Sequence, residues 1–105
     1  MTIDEIRAEI DRLDNELLRI FNQRADFALK IGEIKKGLEI PVYDPAREKN
    51  IFQRMKAENP GPLDNDAIVR LFERVIDESR RLERIMTGNK GLGIGDQGLG
   101  AGDKN

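Results

Sequence analysis

The first third of the chain carries a long, regular apolar pattern that restricts the fold more than any other feature of the sequence. Apolar residues recur in steps of mostly three and four, at Ile3, Ile6, Ile10, Leu13, Leu17, Ile20, Phe27, Ile31 and Ile34. A heptad pattern kept over residues 3–34 predicts one continuous α-helix with an apolar stripe along its whole length. We expect this first helix to span about residues 3–36, with Gly37 adopting the left-handed conformation that follows many helices.

Two shorter helices are predicted after the first. Asp44 followed by Pro45 is a typical helix start, an N-cap and then proline at the first helical position. Asp64 or Asn65 can cap a third helix in the same way. We expect these helices to span about residues 45–58 and 65–87. The predicted fold class is therefore all-α.

The length of the first helix argues for a dimer. At the usual rise per residue, a helix over residues 3–36 is about 50 Å long, roughly as long as the two other helices placed end to end. A single chain of 105 residues could not cover the whole apolar stripe of such a helix. We therefore expect an intertwined helical-bundle homodimer, in which two long helices pack along each other and the shorter helices cover them.

The C-terminal segment differs in composition from the rest of the chain. Seven of the ten glycines lie in residues 88–105. Such a segment buries too little apolar surface to offset the entropy of ordering it. We expect a helical domain over residues 1–87 and a disordered Gly-rich tail over residues 88–105. The tail contains a GxGxxG string at residues 93–98, which we interpret as chance because that motif functions only between a strand and a helix.

The composition excludes several kinds of chemistry and of partner. Cysteine and histidine are absent, which rules out thiol nucleophiles, disulfides, histidine acid–base pairs and His/Cys metal sites. We accordingly predict no cofactor and no metal. A formal net charge of −2 gives no general attraction to nucleic acid or anionic lipid. Because the chain has neither a membrane-spanning apolar run nor a signal-peptide pattern, we expect a cytoplasmic protein that binds no membrane.

Polar residues interrupt the apolar stripes of all three predicted helices. Arg24 occupies the one missing position in the stripe of the first helix. Lys35 lies three turns further along the same face, about 16 Å away. The polar residues in or beside the stripes of the other two helices are Arg47, Glu48, Ser79 and Glu83.

Each of these residues has a structural explanation when it is taken alone. A cation in an apolar stripe can set the register of a helix pair or extend its charge to water. An acidic first turn complements the helix dipole, and Glu83 could pair with Arg80 or with a neighbouring helix. Taken together they point to a ligand, because buried charges need partners and the cations outnumber the carboxylates. The pattern predicts an internal, water-poor pocket for a small polycarboxylate.

The ordered set of these residues also gives the chain a family resemblance. Three segments carry it: IRAEIDRLD at residues 6–14, Arg24 followed by IGEIK at residues 31–35, and PVYDPARE at residues 41–48. They resemble the all-α class of chorismate mutases, the type II family of small dimeric helical enzymes that convert chorismate to prephenate. The resemblance covers about residues 3–86.

The resemblance implies roles for particular side chains. Arg24, Lys35 and Glu83 would be catalytic. Lys35 would contact the ether oxygen of chorismate, and Glu83, in its protonated form, would donate a hydrogen bond to the same oxygen. Glu48 and the backbone of Asp44 would hold the ring hydroxyl.

The remaining implied contacts bind the carboxylates of the substrate. Arg24 and Arg7 would each bind one carboxylate, with Arg7 contributed by the partner subunit, and Arg47 and Ser79 would complete the anion-binding shell. Helix geometry agrees with a shared site. Arg7 lies 17 residues before Arg24, about 25 Å along the helix, so one chain could not bring both to a small ligand.

The implied activity is that of an isomerase in phenylalanine and tyrosine biosynthesis. The reaction is a unimolecular rearrangement, so it needs only a restricted substrate conformation and stabilisation of the charge on the ether oxygen. Two alternatives stay open: an isochorismate-pyruvate lyase of the same fold, and a non-catalytic dimerisation or regulatory module. Lys35 with Glu83 at the ether oxygen favours the mutase over the lyase, and the full polar set argues against a module.

Overall fold

The computed structural model describes residues 1–88, which form three α-helices and no strand. The helices are α1 (Ile3–Leu38), α2 (Pro45–Glu58) and α3 (Asn65–Thr87). The all-α prediction and the order of the helices are confirmed. None of these helices is long and apolar enough to cross a membrane. The rest of the predicted tail, with the string at residues 93–98, lies outside the described residues, so the division into a helical domain and a tail stays a prediction.

Hydrogen bonds from neighbouring residues close both ends of α1. At its start, the Thr2 hydroxyl accepts from the backbone N–H of Glu5 at 3.1 Å, and the Glu5 carboxylate accepts from the Thr2 N–H at 2.7 Å. This reciprocal pair is a capping box. At the other end, the prediction for Gly37 was wrong. The helix continues to Leu38, and Glu39 adopts the left-handed conformation, with a φ of 58°.

The later end of α1 has a physical reason. The N–H groups of Glu39 and Ile40 donate to the carbonyl oxygens of Lys36 and Lys35, at 3.4 and 3.0 Å respectively. This is the Schellman arrangement, which satisfies carbonyl groups that the helix leaves unpaired. These bonds offset the strain of a left-handed glutamate, and they leave Gly37 inside the helix.

The starts of α2 and α3 are capped as the sequence predicts. The Asp44 carboxylate accepts a hydrogen bond from the backbone N–H of Arg47 at 3.0 Å, and Pro45 is the first residue of α2. Of the two candidates for α3, Asp64 is the cap. Its carboxylate accepts from the backbone N–H of Ala67 at 2.8 Å.

The third helix packs against both α1 and α2 and so joins the three helices. It comes very close to α1 at Gly32, where an added Cβ would lie 2.9 Å from the Cβ of Met86 and 3.0 Å from the Cα of Glu83. A larger residue would push the two helices apart. Glycine at this position therefore allows Lys35, one turn further along α1, to reach α3.

The apolar core of a single chain is small. Among the described residues, the buried apolar side chains are Ala28, Ile51 and Ile76, each 5% exposed. Every residue from 1 to 23 is exposed, including the apolar stripe of the first half of α1. Three buried side chains supply little of the apolar burial that stabilises a domain. The fold of one chain thus leaves a long apolar surface without cover.

Candidate active site

A cavity of about 350 Å³ lies between the second half of α1, the start of α2 and the second half of α3. Its volume is in the range of small-molecule sites. Its apolar wall consists of Phe27, Ala28, Ile31, Val42, Ile51 and Ile76. Its polar residues are Arg24, Lys35, Asp44, Arg47, Glu48, Ser79, Arg80 and Glu83. The structure thus brings all the predicted site residues except Arg7 to one cavity, and it adds Arg80 to them.

A hydrogen bond to α3 holds Arg24 at the cavity wall. The Nη1 group of Arg24 donates to the Ser79 Oγ, and the Ser79 hydroxyl donates in turn to the carbonyl oxygen of Val75 at 3.1 Å. The hydroxyl therefore uses both its donor and one acceptor position. Ser79 fixes the direction of Arg24 without neutralising its charge.

Arg24 is a desolvated cation in a positively charged environment. Burial lowers the pKa of its guanidinium from the usual value, nearby Arg47 and Arg54 lower it further, and Glu83 raises it. An arginine stays protonated under such shifts. None of the ion pairs among residues 1–88 includes Arg24. The charge of Arg24 is therefore available to an anion that enters the cavity.

Lys35 and Glu83 form an ion pair between α1 and α3. The Lys35 Nζ lies 2.8 Å from the Glu83 Oε1 and also donates to the carbonyl oxygen of Val42 at 3.0 Å. The two side chains are only 15% and 12% exposed, so separating them would leave desolvated charges unpaired. Of the two partners that the sequence allows for Glu83, the structure has the one on a neighbouring helix, Lys35, and not Arg80.

Glu48 pairs with Arg80, which sequence reasoning did not assign to the site. The Arg80 Nε lies 3.1 Å from the Glu48 Oε2. This Nε is buried and has no hydrogen-bond partner among residues 1–88, because its N–H is not aligned with the carboxylate. The contact is therefore an ion pair and not a hydrogen bond. A sequence signal existed, since Arg80 lies one turn after Ile76 on the stripe of α3.

Asp44, the N-cap of α2, and Arg47, in its first turn, are both exposed. The Asp44 carboxylate caps α2, which explains its position at the cavity without a ligand. Arg47 belongs to no ion pair among the described residues. Like Arg24, it can offer its charge to an anion.

The charges around the cavity are not balanced. The cations are Arg24, Lys35, Arg47 and Arg80, and the carboxylates are Asp44, Glu48 and Glu83. Two of the carboxylates already pair with Lys35 and Arg80. The arrangement is suited to an anion with more than one negative charge. Residues 1–88 contain no group of side chains that could hold a metal ion.

Arg7 lies away from this cavity. It is exposed in the first turns of α1, 17 residues before Arg24 and thus about 25 Å from it along a straight helix. One chain does not bring Arg7 to the site. Its predicted contribution from a partner subunit stays a prediction.

Comparisons with known proteins agree with the fold. The sequence model of a family described as chorismate mutase type II matches residues 6–84. A structure of chorismate mutase (form II) from Thermus thermophilus is similar, with a TM-score of 0.77 and 36% identity. The similarity covers 78% of this chain and 93% of that chain.

Two relatives show what share of a longer and of a shorter protein this chain covers. A bifunctional chorismate mutase/prephenate dehydratase of Aquifex aeolicus is 37% identical over 86 residues, which are 78% of this chain and 24% of that protein. A chorismate mutase of Methanocaldococcus jannaschii is 35% identical over 81 residues, which are 76% of this chain and 82% of that protein. This chain therefore spans about a quarter of the length of the bifunctional relative.

Proposed function

The chain belongs to the chorismate mutase type II family, and we propose that it is an isomerase that converts chorismate to prephenate, a step toward phenylalanine and tyrosine. The observation that carries this proposal is the polar lining of the cavity. Arg24 and Arg47 have no carboxylate partner among residues 1–88, while Lys35 and Glu83 lie side by side. Chorismate has two carboxylates and an ether oxygen, which match these groups.

The proposed reaction takes place within one molecule. The ether C–O bond of the enolpyruvyl side chain breaks while the methylene carbon of that side chain bonds to the ring, so no proton and no nucleophile enter. Arg24 and Arg47 would bind carboxylates and hold the side chain over the ring. This restriction removes much of the entropy that the free substrate loses on reaching its reactive conformation. Glu48 would accept a hydrogen bond from the ring hydroxyl.

Lys35 and Glu83 would act on the ether oxygen. Negative charge develops on this oxygen as its bond to the ring breaks, and a preorganised cation and hydrogen-bond donor stabilise that charge. The two side chains are held 2.8 Å apart and are well shielded from water, which strengthens their electrostatic effect. For Glu83 to donate a hydrogen bond, its carboxyl group must carry a proton when the substrate is bound.

We also propose that the active form is a homodimer, a prediction that the fold of one chain supports indirectly. The apolar stripe before Arg24 is exposed, and a second copy carries a stripe of the same composition that could cover it. An antiparallel arrangement would bring Arg7 of the partner subunit toward the carboxylate-binding end of the cavity. The predicted cytoplasmic location is also part of this proposal.

A direct assay tests the proposed activity. Purified protein is incubated with chorismate, and the loss of chorismate absorbance and the formation of prephenate are followed together. We expect conversion by the wild type, a loss of at least about a hundredfold in kcat/KM for Arg24→Ala, and little change for Lys49→Ala, which removes an exposed cation from α2. A second sample is incubated with isochorismate. Release of pyruvate in that sample, with no prephenate formed from chorismate, would favour the lyase. No conversion of either compound would favour a non-catalytic module.

A further inference from the structure

Arg80 is the one cation of the cavity that the proposed mechanism does not use. Three groups surround its guanidinium. Its Nε contacts the Glu48 carboxylate of α2 at 3.1 Å, its Nη2 pairs with the Asp77 carboxylate of α3, and its central carbon lies 5.5 Å from the centre of the Tyr43 ring. Arg80 therefore connects α3 to the start of α2 and to the preceding loop.

The ion pair with Arg80 leaves half of the Glu48 carboxylate free. Arg80 contacts the Oε2 atom of Glu48, and no donor among residues 1–88 hydrogen-bonds to the Oε1 atom. The Glu48 and Arg80 side chains are 18% and 28% exposed, so water screens their interaction only in part. Glu48 is thus held in one orientation, with its charge largely offset and one oxygen still able to accept a hydrogen bond.

A carboxylate in this state suits a neutral donor better than a cationic one. A hydroxyl group needs only an acceptor oxygen in the right place. An ammonium group would gain most from an unpaired carboxylate, and at this site it would also be repelled by the nearby guanidinium of Arg80.

We infer that Arg80 is a positioning and specificity-determining residue, which orients Glu48 and makes the site prefer a substrate with a neutral hydroxyl on the ring over one with an amine at the same place. This inference rests on the proposed function, in which Glu48 receives the ring substituent. Arg80 acts through Glu48 and needs no contact with the substrate.

A direct contact between Arg80 and a substrate carboxylate is the competing explanation. The two explanations differ in what they predict for a pair of substrates. Chorismate and its analogue with an amine in place of the ring hydroxyl carry the same carboxylates. Loss of a carboxylate contact would therefore reduce activity toward both compounds equally, and the loss would persist when Glu48 is made neutral.

The test measures kcat/KM for both compounds at neutral pH with the wild-type chain and five variants: Arg80→Ala, Arg80→Lys, Arg81→Ala, Glu48→Gln, and Glu48→Gln combined with Arg80→Ala. For Arg80→Ala we expect activity toward chorismate to fall about tenfold and the ratio of amine to hydroxyl activity to rise about tenfold. Arg80→Lys keeps the charge and should retain most of the hydroxyl preference. In the Glu48→Gln background, Arg80→Ala should change the ratio less than about twofold, because the charge on which it acts is gone. Arg81→Ala is the matched control, since Arg81 is exposed and pairs with Glu78 on its own helix.

The outcomes test the role of Arg80 and the proposed mutase activity separately. An unchanged ratio in Arg80→Ala, or an equal change with and without the Glu48 charge, would overturn the role of Arg80 and leave the mutase activity standing. A wild-type chain that converts neither compound would overturn the proposed function, and the role of Arg80 with it. A variant that is only less well folded would lose both activities to the same extent, so its ratio of amine to hydroxyl activity would stay unchanged. The ratio therefore distinguishes a loss of folded protein from a change in specificity.

Discussion

The two halves of α1 carry the same apolar pattern in very different surroundings. In the second half, Ala28 and Gly32 are buried against α3, and Arg24 and Lys35 lie at the cavity. In the first half, every residue up to position 23 is exposed, although the apolar stripe continues without interruption. The periodicity predicts the helix equally well in both halves.

This difference shows what a helical pattern does and does not specify. A stripe of apolar residues requires that some surface cover it, but the pattern does not say which surface. In the second half of α1, α3 of the same chain covers Ala28 and Gly32 beside the stripe, while Phe27 and Ile34 on the stripe stay 63% and 60% exposed. In the first half, where Arg7 lies, any covering surface has to come from outside the chain. We therefore expect the two halves to differ when each is altered by substitution.

The largest effect is expected from a charge placed on the uncovered stripe. Leu13→Asp would put an unpaired carboxylate into the surface that we propose a second copy covers, and burying such a charge is strongly unfavourable. We expect a monomer by light scattering and a loss of at least about a hundredfold in kcat/KM. Asn15→Asp adds the same charge off the stripe and should change neither property. An active monomer of Leu13→Asp would show that the first half needs no partner.

In the second half of α1, one substitution is expected to lower activity strongly and to raise stability. Arg24→Met removes a desolvated cation whose charge is disfavoured in the folded chain, and Ser79 keeps its hydrogen bond to Val75. We expect kcat/KM to fall at least about a hundredfold while the melting temperature rises. Calorimetry at neutral pH checks the second part. Parallel losses of stability and activity would indicate that Arg24 mainly supports the fold.

A smaller effect is expected where α1 and α3 touch. A Cβ at Gly32 would lie 2.9 Å from the Met86 Cβ, so Gly32→Ala should destabilise the fold by about 1–3 kcal/mol and lower activity by displacing Glu83. Gly37 is also helical but has no atom within 4 Å of an added Cβ. Gly37→Ala should therefore stabilise the fold by about 0.5–1 kcal/mol. Equal effects of the two substitutions in urea unfolding would contradict close packing at Gly32.

The smallest effect is expected from Glu83→Gln. An ionised carboxylate cannot donate a hydrogen bond to the ether oxygen and would repel the negative charge that develops there. This variant keeps the shape of the side chain and always carries a donor, so we expect its kcat/KM for chorismate to stay within about tenfold of the wild-type value. Glu83→Leu is the control, because it removes the donor and should lose more activity. Equal losses in the two variants would contradict the role of Glu83 as a hydrogen-bond donor.

The parts of the structure that depend on neighbours in the chain could be predicted from the sequence. The three helices follow from periodicity, and the start of α2 follows from the cap formed by Asp44 and Pro45. The polar residues that break the stripes can be recognised because buried charges are rare, and all six of them line one cavity.

The parts that depend on how the helices meet could not be predicted. From the sequence, Arg80 is a possible partner of Glu83, because the spacing along α3 allows that pair. In the structure, α1 and α3 approach closely at Gly32, so Glu83 pairs with Lys35 instead. Arg80 pairs with Glu48, because α2 lies next to it. Likewise, the end of α1 is decided by two hydrogen bonds after Leu38, which no single residue type specifies.

The central claim is that the uncovered half of α1 completes the site of a second copy. It is tested most directly with two variants that we expect to be inactive alone, Arg7→Met and Arg24→Met. The two chains are co-expressed with different affinity tags, and the heterodimer is purified through both tags. If Arg7 acts across the interface, one site of the heterodimer keeps both arginines, and its activity should return to about half that of the wild-type dimer. A heterodimer as inactive as its parents would contradict the shared site.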